Sequence, residues 1–167
     1  VGVIYQIDIG APIENIFRYV NDDEVQIKWM DGFVENEYLY RPLGTSRVGT
    51  TFIYHVKVGK NVREYSGEVI AYNDPSFLGI RYNNQIVTLE VFYRLIENGY
   101  GGTTLHCECI QSFQKWYMLL LSPLLNGAMK GLVRKQMRTL KAFAEEEVDN
   151  LVWQPTVQAG PKINKFI

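Results

Sequence analysis

The sequence is short of the residues that mark several functional classes. Two of its 167 residues are Cys, which excludes a secreted scaffold held by several disulfides. Two are His, His55 and His106, and no cluster around them supplies the ligands of a metal site. Neither sign of charge dominates: 17 Lys and Arg stand against 18 Asp and Glu, a net of −1. No basic field exists to draw nucleic acid, so nucleic acid is not an expected partner. Long apolar runs are missing too. The longest, Trp116 to Leu121 resuming at Pro123-Leu124-Leu125, makes a ten-residue stretch broken by Ser122. A bilayer span needs ~20 residues. The first residues alternate and carry no basic region, so they do not read as a signal peptide. The chain starts at Val1 without a Met, as a processed or trimmed chain does. A soluble, cytoplasmic protein is the expectation. No P-loop, nucleophile elbow or Ser-His-Asp order occurs, and no cofactor is expected. Gly99-Tyr100-Gly101-Gly102 falls between two strand patterns, so it is a turn and not a phosphate cradle.

What is abundant is aromatic. Eleven Tyr, eight Phe and three Trp sit in a chain that is 47% apolar and long enough for one domain. Either they fill a core or they line something hollow.

Periodicity orders the chain. Gly2 to Ile9 alternates as a first strand. Pro12 opens a short helix with Ile13, Ile16, Phe17 and Val20 on one face. Asn21-Asp22-Asp23 breaks it and caps a second, carrying Val25, Ile27, Trp29 and Met30. Period two then takes over. Phe33 to Tyr40 sets Val34, Asn36, Tyr38 and Tyr40 in phase. Thr51 to Val58 does the same with Phe52, Tyr54, Val56 and Val58. Val62 to Tyr72 shows Glu64, Ser66 and Glu68 as its wet face. Phe77 to Tyr82 is short. Ile86 to Ile96 aligns Val87, Leu89, Val91, Tyr93 and Leu95, and Thr103 to Phe113 aligns Leu105, Cys107, Cys109 and Phe113. Turn residues separate these runs, so an antiparallel sheet is expected. From Pro123 to about Val148 the period becomes helical. Leu125, Met129, Leu132, Val133, Gln136, Leu140 and Phe143 trace a stripe. Glu145-Glu146-Glu147 opposes the helix dipole there, so fraying is expected.

These elements resemble a known family. Ile9-Gly10-Ala11-Pro12-Ile13-Glu14-Asn15-Ile16-Phe17, Trp29, the Gly44–Thr50 loop, Gly67 to Pro75 and Gly101-Gly102-Thr103-Thr104-Leu105 occur in the order found in the START-like, helix-grip (SRPBCC) superfamily. The branch they resemble is the polyketide cyclase/dehydrase and lipid-transport group. The resemblance implies an α+β fold, a curved seven-stranded antiparallel sheet wrapped around a long C-terminal helix, with two short helices between strands 1 and 2. It implies a ligand-binding domain over residues 1–149, a C-terminal tail over 150–167, and a cavity between sheet and long helix for a hydrophobic small molecule such as a lipid, polyketide or aromatic metabolite.

The residues offer their own support for a cavity. Tyr38, Tyr40, Tyr54, Tyr82 and Tyr93 share strand phases with aliphatic neighbours. A buried phenol needs a partner, whereas a mostly apolar pocket uses a few polar handles. Asn36 is a polar anchor in the Tyr38 phase. Trp29, Phe52, Val56, Leu89, Val91, Cys107 and Cys109 are expected as apolar lining, with Leu125, Met129 and Leu132 from the helix. No catalytic residue is assigned. An enzyme of the polyketide cyclase/aromatase or dehydratase type is the alternative, with Tyr or Arg groups, Arg63 and Arg81 among them, polarising carbonyls. The apolar 116–121 segment and the 150–167 tail are expected as a transient membrane or dimer contact.

Overall fold

The computed structural model describes residues 2–152. β1 (Gly2–Ile9) leads to α1 (Ile13–Asn21) and α2 (Asp23–Trp29). Both helices are short because their ends are defined locally. The Pro12 carbonyl takes the first α1 amides, from Asn15 and Ile16. Asp22 then ends α1 in extended conformation, and its side chain accepts from Glu24 N at 3.0 Å to start α2. Six strands follow: β2 (Phe33–Tyr40), β3 (Thr51–Val58), β4 (Asn61–Asn73), β5 (Phe77–Asn83), β6 (Val87–Glu97) and β7 (Thr103–Phe113). A 3-10 helix (Trp116–Leu121) runs directly into α3 (Ser122–Val152).

The seven strands form one sheet in the order β1-β7-β6-β5-β4-β3-β2, with every pairing antiparallel. This is the helix-grip arrangement expected from the sequence. Register shifts interrupt β2 between Phe33 and Glu35 and between Tyr38 and Tyr40, and β4 between Val69 and Ala71. Bulges of this kind bend a strand and increase its twist, which curls the sheet.

The concave face is covered at one end. Ile16, Phe17 and Val20 of α1, Trp29 of α2, and Val133, Met137, Leu140 and Ala144 of α3 form one core with Leu78, Leu95, Leu105 and Cys107 of the sheet. Each such large side chain contributes ~1.5–3 kcal/mol of transfer free energy. Polar contacts then fix α3 in place. Glu145 Oε1 accepts from Gly10 N at 2.9 Å, and Lys141 Nζ donates to Asp8 O at 2.6 Å. Lys135 Nζ meets Asp31 Oδ2 at 2.6 Å, and Gln136 Nε2 donates to Asp31 O at 3.1 Å.

Several expectations for α3 are corrected. The buried line is Val133, Met137, Leu140 and Ala144. Met129, Gln136 and Phe143 flank it half-buried, and Leu132 is 49% exposed. Val133 and Leu132 lie ~100° apart on the helix, so only one can face the sheet. The Glu145 end does not fray: the Gly10 amide and Lys141 offset its unfavourable dipole position, and the helix runs through Val152. It therefore continues across the boundary expected after residue 149. Residues 153–167, the remainder of the expected tail, lie outside the described residues.

Candidate functional site

The inward-phase residues differ by their end of the sheet. Leu78, Leu95 and Leu105 are buried under the helices. Tyr93, Val91, Cys107 and Cys109 occupy the middle rows and are also buried. Farther along, Tyr54, Val56, Tyr65, Tyr82, Val87 and Leu89 are only half-buried. Leu125 and Met129, in the first turns of α3, are likewise half-buried. The concave face is closed at its α1 end and open at its 3-10-helix end.

Aromatic rings run across the open end. Tyr38 and Phe52 have ring centroids 5.7 Å apart, Phe52 and Tyr82 6.2 Å, and Tyr82 and Tyr54 4.9 Å. Tyr54 also meets Phe33 at 5.9 Å and Tyr65 at 6.4 Å. Gly67 makes this chain possible. A Cβ there would fall 2.2 Å from the Phe52 ring, so only Gly lets that ring lie across β4.

The phenols differ in how they are satisfied. Tyr54 Oη reaches Met30 Sδ at 3.9 Å, a weak contact. Burial, with Tyr65 nearby, pushes the Tyr54 phenol up to about 12. Tyr38 is pushed up to about 12 by burial and then by the adjacent Asp23 carboxylate, while the Arg41 guanidinium sits 3.8 Å over its ring. Tyr82 and Tyr93 are pushed well above 10, chiefly by burial. Neither hydroxyl makes a hydrogen bond among the described residues. The Cys109 sulfur and burial together hold the Cys107 thiol well above its usual range, so this free pair acts as small apolar surface.

A polar recess adjoins the ring chain. Asn36 Nδ2 donates to Asp23 Oδ1 at 2.8 Å, while Asn36 Oδ1 is buried without a partner. With Gln26, Tyr38, Arg47 and Thr50 they border a cavity of ≈ 30 Å³. That space suits one or two waters, not a lipid.

The structure brings most expected residues to this face, but not all in the same way. Trp29 belongs to the core, with its indole N–H donating to Tyr19 O at 2.9 Å. Phe52 is buried within the ring chain. Tyr40 is 59% exposed. The second β2 bulge pairs Tyr40 with Thr51 right after Tyr38 pairs with Phe52, which takes it out of phase. Val34, beside the first bulge, is likewise exposed. Leu132 faces away for the reason given above. Sequence reasoning missed Phe33, Tyr65 and Asp23. Tyr65 was detectable: Glu64, Ser66 and Glu68 as the wet face leave Tyr65 inward. The bulge hides Phe33, and only tertiary packing brings Asp23 to Asn36. His55 lies between Glu37 at 3.6 Å and Glu64 at 3.7 Å on the convex side, and His106 pairs in register with Gln6 and Arg94 there. Arg81 is held by Glu90 at 2.8 Å and Glu68 at 3.6 Å, and Arg63 is exposed at the strand end. Among the described residues no group of three or more His, Cys, Asp and Glu could hold a metal ion.

Comparison with known proteins places the fold. No family model matches the sequence, and no curated protein matches it. Solved structures do match. The Zhui aromatase/cyclase from Streptomyces sp. R1128 superposes with a TM-score of 0.71 at 13% identity, over 89% of this chain and 95% of that one. The protein TTHA0849 from Thermus thermophilus gives 0.68 at 18% identity, over 90% and 99%. A START superfamily protein from Mycobacterium smegmatis gives 0.66 at 15% identity, over 90% and 98%. The chain has the START-like, helix-grip fold that its motifs resemble. At these identities the likeness shows fold alone.

Proposed function

We propose that the protein binds a hydrophobic small molecule bearing at least one hydrogen-bonding oxygen. The molecule lies on the open end of the concave face, between strands β3–β6 and the first turns of α3. One observation carries this reading: inward phenols whose hydroxyls, at Tyr82 and Tyr93, have no hydrogen-bond partner among the described residues. Neither is among the buried atoms that lack a partner, so each hydroxyl faces the open end, where a dry core would instead place Phe. A ligand carbonyl or hydroxyl satisfies each phenol. Affinity then comes from apolar area removed from water, ~25 cal/mol per Å², and orientation from the phenols.

A cyclase or aromatase reading needs a group to polarise carbonyls inside the cavity. The fold it shares with the Streptomyces aromatase/cyclase motivates that reading. The candidate arginines do not support it, since Arg81 is tied to two carboxylates and Arg63 is exposed. The phenols serve binding without requiring turnover. Mass spectrometry of small molecules extracted from the purified protein tests the proposal. A hydrophobic, oxygen-bearing species retained by the wild type and reduced by Tyr82→Phe/Tyr93→Phe is expected. Equal retention by both proteins would overturn the assignment of these hydroxyls. Turnover of polyketide mimics, as opposed to retention, would favour the cyclase.

A further inference from the structure

The charge of this chain is segregated along its sequence. Between Glu108 and Glu145 there is no Asp or Glu, while Lys115, Lys130, Arg134, Lys135, Arg138 and Lys141 supply six positive charges. The rest of the chain holds 11 of the 17 basic residues and all 18 acidic ones, a net of −7. Two of the six cations are engaged: Lys135 by Asp31, and Lys141 by Glu145 and the Asp8 carbonyl. Lys115, Lys130, Arg134 and Arg138 are exposed and form no ion pair among the described residues. Lys130, Arg134 and Arg138 recur every four residues, so they follow one line on α3 outside its buried line.

The same stretch carries an exposed apolar tip. Trp116 is 76% exposed, Leu119 57%, Leu120 74%, Leu121 50% and Leu124 74%, and Tyr117 is 47% exposed. The 3-10 helix has no buried residue. Its backbone is ordered by Met118 N bonding to Lys115 O and by continuity into α3, so the apolar side chains are held out as a set.

We infer that the Trp116–Leu124 tip and the Lys130–Arg134–Arg138 line together form a docking surface for an anionic lipid bilayer. Charge decides between occupants. A second copy meeting this face symmetrically would bring unpaired cations of like sign together. An anionic leaflet offers the opposite charge and an apolar layer beneath it. Trp and Tyr suit the headgroup boundary, and Leu side chains reach below it. Leu124 to Arg138 spans about 21 Å along the helix, so the cations can meet headgroups only if α3 lies obliquely along the surface. The ten-residue apolar stretch is too short to cross, which makes the contact peripheral. The 3-10 helix begins three residues after β7 ends at Phe113, on the open side of the concave face. Docking therefore sets that opening against the bilayer, though the surface itself does not depend on what the concave face binds.

Co-sedimentation of the full chain with vesicles tests this. One set is phosphatidylcholine alone, and the other contains about a third phosphatidylserine, at ionic strength near 0.1 M. The protein is expected to bind the anionic vesicles at least about a hundredfold more tightly, with affinity falling as salt rises. Each cation near the surface is worth about fivefold, so Lys130→Gln/Arg134→Gln/Arg138→Gln is expected to lose about a hundredfold. Leu120→Ser/Leu124→Ser should lose binding to both vesicle types while keeping the wild-type melting temperature, because both leucines are exposed. No binding to anionic vesicles would overturn the proposal. So would binding indifferent to all five substitutions. A wild-type dimer in vesicle-free buffer that the Leu variant dissociates would assign the face to a second copy instead.

Discussion

Replacing Tyr93 by Phe should change the stability of the ligand-free protein by less than ~1 kcal/mol. Tyr93 is 7% exposed in the middle of β6, with Leu78 and Cys107 beside it in register. Its hydroxyl has no hydrogen-bond partner among the described residues, and burial pushes its ionisation well above 10. The hydroxyl is not among the buried atoms that lack a partner, so it reaches space open to water, and deleting it removes no hydrogen bond within the protein and leaves only a gap of one oxygen. Thr103→Val supplies the contrast. The Thr103 hydroxyl is fully buried and donates to Ala11 O at 2.8 Å, so Val abandons a buried carbonyl. That change should destabilise by ~1–3 kcal/mol at nearly constant shape. For a chain of this length each kcal/mol moves Tm by ~2–4 °C. Urea unfolding followed by circular dichroism, with Tm beside it, separates the two outcomes. In ligand retention the order reverses: Tyr93→Phe should weaken binding about five- to tenfold and Thr103→Val should not. A Tyr93→Phe protein destabilised by more than ~1 kcal/mol would refute the reasoning, because the hydroxyl would then already serve the fold.

Three further expectations follow from particular contacts. Gly67→Ala should destabilise by ~1–3 kcal/mol, since three Phe52 ring atoms lie 2.2–2.7 Å from the added Cβ, and Phe52→Leu in the same background should restore part of it. Tyrosine absorbance titrated with pH should show Tyr38 and Tyr54 still protonated at pH 11, where exposed phenols have ionised. Their folded values, about 12, exceed the unfolded value of 10, so the unfolded chain releases these protons first. The stability they contribute is complete below pH 10 and is lost as pH rises from 10 to 12. A denaturation midpoint independent of pH across that window would contradict their burial. Glu145→Ala removes the Gly10 N–H acceptor at 2.9 Å and should cost about 1 kcal/mol, whereas Glu146→Ala, on the exposed side, should cost nothing measurable in urea melts.

Much of the architecture was legible because it follows from local geometry. Strand alternation and helical spacing are consequences of backbone period, so Thr103–Phe113 and Gly2–Ile9 read directly, as did the break at Asp22 between two short helices. The inward phase of Phe52, Tyr54, Tyr82 and Tyr93 follows from the same arithmetic, and so does the outward phase of both histidines. The motif resemblance added the helix-grip topology, which hydrophobic period alone leaves open. Where the reading failed, the deciding quantity lies between elements. A bulge counts residues on two paired strands, so β2 alone could not reveal that Tyr40 leaves the phase of Tyr38 or that Phe33 enters it. Which of two neighbouring apolar residues a long helix buries depends on its rotation against the sheet, and that rotation chose Val133 over Leu132. The 3-10 segment was readable as apolar but not as exposed, because exposure depends on what lies over it. By itself the sequence determined the elements, their order and the face each aromatic residue takes. Only the tertiary structure decided which end of that face is covered, because coverage is set by the pairing register and by where α3 is pinned, at Gly10 and Asp31, far from its own apolar start.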